Sequence, residues 1–405
     1  MDEMINYSWC VLNEATTLVK SAEDLRPIDN ASPFSTLKFL SLLEQSASVG
    51  NDTGWVPHHF CLYEHSESSY ADSNGGSIES NMPNGKLIAF IPCYQKSHSY
   101  GEYVFDHAWA NAFHQHGISY YPKLLCAIPF TPVSTSKVLV SQDSQLTESE
   151  IVAHWWQHNQ SIIKKYSSVH ALFLTQNSRD TLEQLQFHER LNVQFVFYNS
   201  GYQSFDDFLT ALKSRKRKTI NKERKALTRQ DITIKRLSSG DINSQIMADF
   251  YKCYQVTYIK RSGHHGYLTE AFFSQLLKEF AENILIVAAF KNTTMIASAL
   301  FFYDDNSLFG RYWGALEDVS GLHFECCYYQ GIEFAIERQH KIFNPGTQGE
   351  HKILRGFTPT LCHSMHKIQH VQFDEAVGDF VRRERPHMLE YLENTKSLLP
   401  FRAEK

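Results

Sequence analysis

Several features that mark large classes of protein are missing from this sequence of 405 residues. Its eight cysteines are scattered apart from the adjacent pair Cys326–Cys327, and no C-x-x-C motif occurs. Because neighbouring cysteines rarely pair, the spacing predicts reduced thiols in a cytosolic protein instead of a disulfide framework. The opening residues, MDEMINYSWCVLNE, contain neither a basic region nor an apolar run, so no signal peptide is expected.

Long apolar stretches and a strong excess of one charge are also lacking. No segment reaches the roughly 20 apolar residues that a membrane-spanning helix needs, so the sequence predicts no membrane insertion. The net charge of −5 by itself indicates neither a nucleic-acid nor a membrane partner. With 42% hydrophobic and 20% charged residues the chain is expected to fold, and its length suits two domains of ordinary size.

The order of predicted elements repeats along the chain. Each half reads as strand, helix, hairpin, aromatic strand and helix, with the segments GEYVFDHAW and FGRYWGALE at matching places. The runs ILIVAAF and MIASALFFY flank the turn KNTT, which is the pattern of a β-hairpin. Thr147-x-x-Glu150 is a capping box that opens a helix. The repeat predicts two similar α/β domains, residues 1–200 and 201–405.

Four motifs are long and rich in uncommon residues: KSHSYGEYVFDHAWANAF, GRYWG, HFECCYYQGIEFAIER and GEHK-x-x-RGF. They resemble the bacterial FemAB-like group, which is associated with peptidoglycan biosynthesis or recognition and placed among GNAT-type N-acyltransferases. The resemblance extends from about residue 33 to 386. It implies an α/β (α+β) fold of two tandem GNAT-like domains, as in Fem-type aminoacyltransferases, and transfer of an acyl group to an amine. The chain departs from the usual GNAT phosphate loop, because the turn LEDVSGLHF has only Gly321 for close backbone approach to a pyrophosphate.

Three residues are candidates for the chemistry of acyl transfer, which needs a base for the amine proton and donors for the oxyanion. Glu350 is the first candidate base, because a carboxylate at a strand end can be partly desolvated; the alternative is an ion-paired loop. His323, at the start of a helix predicted over residues 323–340, is the second, unless it simply bonds to the backbone. Tyr312 could protonate a leaving group or be a core aromatic, and alternation places it on the strand face opposite Arg311 and Trp313.

Further residues are candidates for binding. Those predicted to bind the acceptor are His98, Glu102, Asp106, Arg311, Trp313, His351 and Arg355. In the first half the alternative is a solvated edge. Those predicted to receive the phosphates of the donor at the start of the helix are Ser320, Gly321 and Leu322. Neither His323-x-Glu325 nor Glu350-His351 belongs to an evident tetrahedral ligand set, so no metal is predicted.

A basic run covers residues 213–229, with nine Lys or Arg against one Glu. Apolar residues in one sector predict that residues 205–229 form a helix that docks by one side and exposes a basic face. Most such faces are simply solvated. The alternative is that Arg217, Arg224 and Lys225 bind the phosphates of CoA or tRNA.

The sequence therefore predicts a cytoplasmic N-acyltransferase that moves an acyl group from acyl-CoA, a co-substrate, to the amine of a small molecule or peptide. Three alternatives stay open, and one of them is a tRNA-binding module that uses the basic helix alone and loses affinity as salt is added. The chain could use aminoacyl-tRNA as the donor and so have tRNA as a partner. It could also be a non-catalytic protein that binds cell-wall fragments or peptides, which would have no need of Glu350.

Overall fold

A computed structural model describes residues 6–22, 24–27, 32–65, 83, 85–347 and 349–402. The chain forms two compact units: Met1–Leu191 with Cys362–Arg385, and Asn192–Leu361 with Pro386–Lys405. Both units mix helices and strands, which confirms the predicted fold class of two α/β units in tandem. The sequence-based division assigned all of residues 201–405 to the second domain, whereas Cys362–Arg385 belong to the first unit.

The strands and helices follow one another in both units. The strands are β1 (Asn6–Leu12), β2 (Arg26–Pro27), β3 (Trp55–Pro57), β4 (His59–His65), β5 (Lys86–Ile91), β6 (Cys93–Lys96), β7 (Lys123–Cys126), β8 (Leu139–Val140), β9 (Ser168–Ala171), β10 (His188–Tyr198), β11 (Ile232–Ser238), β12 (Ile284–Lys291), β13 (Thr294–Tyr303), β14 (Ser307–Ala315), β15 (Ile342–Asn344) and β16 (Thr358–Ile368). The helices are α1 (Leu37–Gln45), α2 (His107–Gln115), α3 (Glu148–His158), α4 (Gln160–Ile163), α5 (Gln176–Gln184), α6 (Phe205–Ala211), α7 (Ser214–Thr228), α8 (Ser244–Ser262), α9 (Glu270–Phe280), α10 (Leu322–Phe324), α11 (Gln330–Glu337) and α12 (Val371–Ser397). Among the described residues, no helix is long and apolar enough to cross a membrane.

The first unit contains two sheets. One is antiparallel, in the order β1-β4-β5-β8-β2. The other has the order β16-β9-β7-β6-β3, in which β7 and β9 are parallel and the remaining pairs antiparallel. Helices α3 and α4 form the crossover between the two parallel strands, as a parallel pair requires. Apolar residues of both sheets and of α3, including Phe60, Ile91, Leu124 and Trp155, form the core.

The second unit contains a sheet in the order β11-β12-β13-β14-β15-β10. Strands β12 and β13 form the predicted hairpin, with Lys291 opposite Thr294. Strands β14 and β15 are parallel, and pairing extends from Ser307 opposite Ile342 to Phe309 opposite Asn344. Helix α8 crosses β14 so closely that a Cβ atom on Gly314 would lie 2.1 Å from the carbonyl of Cys253. The sheet and helices thus hold β14 from both sides.

A helical segment connects β14 to β15 and contains an irregularity. It consists of α10, a π-helical stretch Glu325–Tyr329 and α11. A π turn holds one more residue than an α turn and often occurs at functional sites. The segment ends at Glu337, three residues before the predicted end, and Gln339 has a positive φ of 56°.

The prediction of a single helix over residues 205–229 is wrong. The chain forms two helices, α6 and α7, with a break at Leu212 and Lys213. Leu212 is fully buried and forms an isolated antiparallel bridge with Phe401. The backbone N–H of Lys213 donates to the carbonyl of Pro400 at 2.8 Å. These contacts with the C-terminal end of the chain replace helical hydrogen bonds at the break.

Candidate functional site

A cavity of about 70 Å³ lies in the second unit, between the middle of β13 and β14 and the start of the helical segment. One wall is formed by Arg311, Tyr312 and Trp313 of β14. Leu300 pairs with Tyr312, whereas the next residue, Phe301, pairs with Gly310, so Arg311 is the extra residue of a β-bulge. The predicted alternation is therefore interrupted, and Arg311, Tyr312 and Trp313 all line the cavity.

The helical segment supplies the opposite wall of this cavity. His323, Cys327 and Tyr328 line it. The His323 ring lies 5.3 Å from the ring of Trp313 and 5.2 Å from that of Tyr328, centroid to centroid. The Tyr328 hydroxyl hydrogen-bonds to Nε2 of His351 at 2.9 Å. The π turn between His323 and Tyr328 places residues five apart on the same side of the helix.

Among the described residues that line this cavity there is one cation, Arg311, and no carboxylate. Burial lowers the pKa of His323 to about 3, and the neighbouring His351, Arg261 and Lys352 act in the same direction. His323 is therefore uncharged at neutral pH. Arg261, an exposed residue at the end of α8, has no acidic partner among the described residues. No sequence signal indicates that Arg261 lies near His323, because about sixty residues separate them.

Lys352 is a buried residue whose hydrogen bonds hold a segment next to the cavity. Its side chain is 2% exposed, and Nζ donates hydrogen bonds to the carbonyls of Gly346 and Thr347 at 2.8 and 2.6 Å. Burial lowers the pKa of Lys352 to about 7. These bonds hold the chain that leaves β15, so Lys352 fixes one border of the cavity. The GEHK motif contains this residue, but its burial could not be read from the motif.

Glu350 lies elsewhere than predicted. It is the first residue of a 3₁₀ helix, Glu350–Arg355, and not the end of a strand. The residue is exposed and accepts a hydrogen bond from the hydroxyl of Tyr391 at 2.8 Å. Burial and this carboxylate raise the pKa of Tyr391 to about 12. The desolvation that made Glu350 a candidate base is therefore not found, and Glu350 is not among the residues that line the cavity.

Two of the predicted binding arginines are engaged within the protein. Arg355 is 7% exposed and pairs with Glu223 at 2.9 Å, donates to the Tyr329 hydroxyl at 2.9 Å and lies 3.5 Å from the centre of the Phe324 ring. Arg224 pairs with two carboxylates of the helical segment, each at 2.9 Å. A guanidinium already held by carboxylates is a poor ligand for a further anion, so the structure argues against both binding roles.

The rest of α7 and its flanks carry the basic face that the sequence predicts. Arg217 is partly exposed and Lys225 is exposed. The cations of this face have no acidic partner in the described parts of the chain: Arg215, Lys216, Arg217, Lys218, Lys222, Lys225 and Arg229. Unlike Arg224, they are available to a polyanion.

The predicted phosphate turn is only partly accessible. Ser320 is exposed, and Gly321 has a φ of +85° with no atom within 4 Å of a Cβ built on it. Leu322 is 1% exposed, and its N–H donates to the carbonyl of Val319 at 3.2 Å. Ser320 is therefore at the surface and the space beside the Gly321 Cα is open, whereas Leu322 is a core residue.

The predicted acceptor residues of the first unit form a buried ionic cluster. The segment GEYVFD is not a strand, because Gly101 and Tyr103 have positive φ values of 80° and 60° and turn the chain. That turn brings Glu102 and Asp106 to Lys123, whose Nζ lies 2.8 Å from Oε2 of Glu102 and also contacts Oδ2 of Asp106. All three are at most 4% exposed, so neither the predicted groove nor a solvated edge describes them. His98 is partly buried, with Nε2 3.0 Å from the carbonyl of Thr53.

Charges in this cluster balance, since Lys96 is a second buried cation, 3.9 Å from Glu102 and 3.8 Å above the Trp55 ring. Burial raises the pKa of Glu102 to about 7 and lowers that of Lys96 to about 7. Burial alone would raise the pKa of Asp106, but the Lys123 ammonium, His170 and the hydrogen bonds from Lys123 and Ser99 together outweigh burial and keep that pKa below its usual range. The cluster holds the segment after β6 against β7.

Among the described residues, no three His, Cys, Asp or Glu side chains are grouped so as to hold a metal ion. A family model covers residues 13–403, and its family is described by peptidoglycan biosynthesis or recognition. The chain belongs to the FemAB-like family. This membership confirms the resemblance carried by the aromatic and GEHK motifs.

Comparison with curated protein sequences gives no match for this FemAB-like chain. Among solved structures, FemX is 11% identical, with 92% of this chain and 100% of FemX covered and a TM-score of 0.49. A tandem GNAT protein from the clavulanic acid biosynthesis pathway is 7% identical, with 90% and 98% covered and a TM-score of 0.44. L-PGS from Bacillus licheniformis is 9% identical, with 69% and 81% covered and a TM-score of 0.44. No functional conclusion rests on likenesses this distant.

Proposed function

We propose that the protein is an N-acyltransferase whose reacting centre is the cavity beside His323. The observation that supports this most is the combination of an uncharged histidine with neighbouring cations and no carboxylate among the lining residues. Attack of an amine on an acyl carbonyl develops negative charge on the carbonyl oxygen, and fixed positive charge nearby stabilises it. The family description suggests the amine of a peptidoglycan precursor or a related peptide as the acceptor.

His323 takes the place of Glu350 as the group that accepts the amine proton. Its pKa of about 3 makes it a weak base. An anionic donor bound beside Arg261 would partly neutralise the charge that contributes to this low pKa. The pKa of His323 would then rise, although burial, the largest cause of its low value, would still keep that pKa below the usual range of a histidine. Donor binding and base strength are therefore coupled in this proposal.

The donor carries phosphate groups, and acyl-CoA is the first candidate, as expected from the sequence. Its phosphates would meet Arg261 and the exposed backbone at Gly321. Aminoacyl-tRNA is the second candidate, and the observation that favours it is the row of unpaired cations on α7. A long polyanion can contact many such cations at once, whereas a CoA molecule reaches only a few.

An acyl-transfer assay with each donor and an amine-bearing stem peptide, read by mass spectrometry, tests the proposal. His323→Asn should lower kcat by ~10² or more, the usual loss on removing a general base. Arg261→Gln should raise KM for the donor, whereas Lys260→Gln, one residue earlier and also exposed, should change neither constant. Full turnover by His323→Asn would refute its role, and peptide binding without product from either donor would identify a binding protein instead.

The two donors are separated by salt dependence. Arg217→Glu and Lys225→Glu should weaken tRNA binding strongly at low salt and flatten its dependence on salt concentration, since each removes a phosphate contact. The same variants should leave the KM for acyl-CoA nearly unchanged if CoA binds at Gly321 and Arg261. Equal effects on both donors would place the CoA phosphates on α7.

A further inference from the structure

A second cavity, of about 330 Å³, lies in the second unit at the end of the sheet where β12, β14 and β15 begin and β13 ends. It is separate in its lining from the cavity beside His323, since the two share no residue. Its walls are polar and include three carboxylates, Glu282, Asp304 and Asp305, together with Arg338 and His340. The proposed acyl transfer uses none of these residues.

Two buried acceptor atoms in this cavity lack a hydrogen-bond partner among the residues that the structure describes. Oδ1 of Asp304 accepts the backbone N–H groups of Asn306 and Ser307 at 2.8 and 2.7 Å, but Oδ2 has no partner. His340 is 3% exposed, and its Nδ1 has no partner either. A buried polar atom left unpaired costs free energy that a bound donor can recover.

The protonation states of these groups favour a ligand that donates hydrogen bonds. Burial lowers the pKa of His340 to about 4, with the charge of Arg338 acting in the same direction, so the ring is uncharged at neutral pH. An uncharged imidazole with its proton on Nε2 presents Nδ1 as an acceptor. A primary ammonium group has three N–H donors and no acceptor, and it also matches the negative charge of the three carboxylates.

Arg338 is the positively charged side chain in the lining of this cavity. Arg338 is exposed, and its guanidinium lies 5.4 Å from the centre of the Phe334 ring and 5.8 Å from the centre of the Tyr303 ring. No acidic partner holds it in the parts of the chain that the structure describes. A planar guanidinium binds a carboxylate through two parallel hydrogen bonds, so a ligand carboxylate fits here.

We propose that this cavity is a binding site for a small amino acid, with its ammonium group at Asp304 and His340 and its carboxylate at Arg338. Glu282 and Asp305 add attraction for the ammonium group from the rim. The site is distinct from the reacting centre, so an amino acid bound here would act as an effector and not as the acceptor. The inference does not depend on the acyl-transfer proposal.

Titration calorimetry with L-alanine at low salt tests the site, with ethylamine and propionate as half-ligands. L-alanine should bind saturably, with a Kd on the order of millimolar for so few atoms, and each half-ligand should bind at least about tenfold more weakly. Asp304→Asn keeps Oδ1 for the turn but replaces the unpaired acceptor with a donor, and should weaken binding at least about tenfold. Arg338→Gln, at an exposed position that should not disturb folding, should do the same.

The matched control is Asp318→Asn, which removes an exposed carboxylate of the same unit that does not line the cavity. It should leave L-alanine binding unchanged. Absence of saturable binding would overturn the proposal. So would affinity unchanged in both Asp304→Asn and Arg338→Gln, or ethylamine binding as tightly as L-alanine. Activity of the enzyme is not needed for any of these measurements, so their failure is separate from failure of the acyl-transfer proposal.

Discussion

Replacing Lys123 with Met should destabilise the first unit severely. Lys123 is fully buried and contacts both Glu102 and Asp106, which are themselves 4% and 3% exposed. Met fills a similar volume but leaves two carboxylates in the interior with only Lys96 nearby. Breaking a buried pair by removing one partner typically costs about 3–5 kcal/mol, because the remaining charge is uncompensated.

The expected change in melting temperature follows from the size of the unit. The first unit, Met1–Leu191 with Cys362–Arg385, contains about 215 residues. At about 2–4 °C per kcal/mol for a domain of this size, the loss is about 6–20 °C. Lys86→Met is the matched control, since Lys86 and Asp143 form an ion pair at 2.6 Å with both side chains largely exposed. The melting temperature of that variant should equal that of the wild type, because surface ion pairs contribute little to the free energy of unfolding.

The pH dependence of the deficit separates this reasoning from a simple packing defect. With Lys123 present, the pKa of Glu102 is already raised and that of Asp106 is lowered; without Lys123, burial raises the former further and raises the latter above its unfolded value. The folded state then binds more protons than the unfolded state over the interval between those values, so lowering the pH through it favours folding. Urea unfolding followed by circular dichroism at pH 5 to 8 should show the deficit of Lys123→Met shrinking as the pH falls. A deficit below about 1 kcal/mol, or one independent of pH, would refute an uncompensated-charge origin.

Three further changes have defined outcomes. Gly314→Ala should cost several kcal/mol in urea unfolding, at the upper end of point mutations, because the new Cβ would meet the Cys253 carbonyl at 2.1 Å; near-wild-type stability would mean that α8 can move. Gly321→Ala should cost only about 1–2 kcal/mol, since its φ of +85° is strained for Ala but the surrounding space is open. His323→Gln should make the protein less sensitive to acid. The pKa of His323 is about 3 in the folded state and near 6.5 in the unfolded state, so the wild-type protein loses about 2 kcal/mol of stability as the pH falls from 6.5 to 5. Gln does not titrate, so the variant should not show this loss. Parallel stability curves for His323→Gln and wild type between pH 7 and 5 would contradict the assigned pKa.

Local signals in the sequence predicted local structure well. Both hydrogen bonds of the Thr147–Glu150 capping box are present, with the Glu150 N–H 3.3 Å from Oγ1 of Thr147 and the Thr147 N–H 2.8 Å from Oε2 of Glu150. The hairpin at the KNTT turn is confirmed as well. Each depends on interactions between residues only a few positions apart, so the local sequence contains the cause of the structure.

Predictions failed where a distant contact decides the conformation. Leu212 leaves the helix because it pairs with Phe401, and the turn around Tyr103 forms where Glu102 meets Lys123. The candidate site shows the same pattern. Sequence reasoning selected His323 and Trp313, which lie on the cavity, but it missed Arg261 because helix α8 brings that residue there from sixty positions away.

The π turn at Glu325–Tyr329 makes the geometry of the cavity depend on the number of residues in the helix as well as on their identity. Deleting one residue within the turn would let an ordinary α-helix form across it. Since each residue turns an α-helix by about 100°, everything before the deletion would rotate by that angle relative to α11. His323 would then swing away from Trp313 while α11 kept its packing. Loss of a single codon in this turn, at a position such as Cys326 that does not line the cavity, would therefore dismantle the site without changing any residue that lines it.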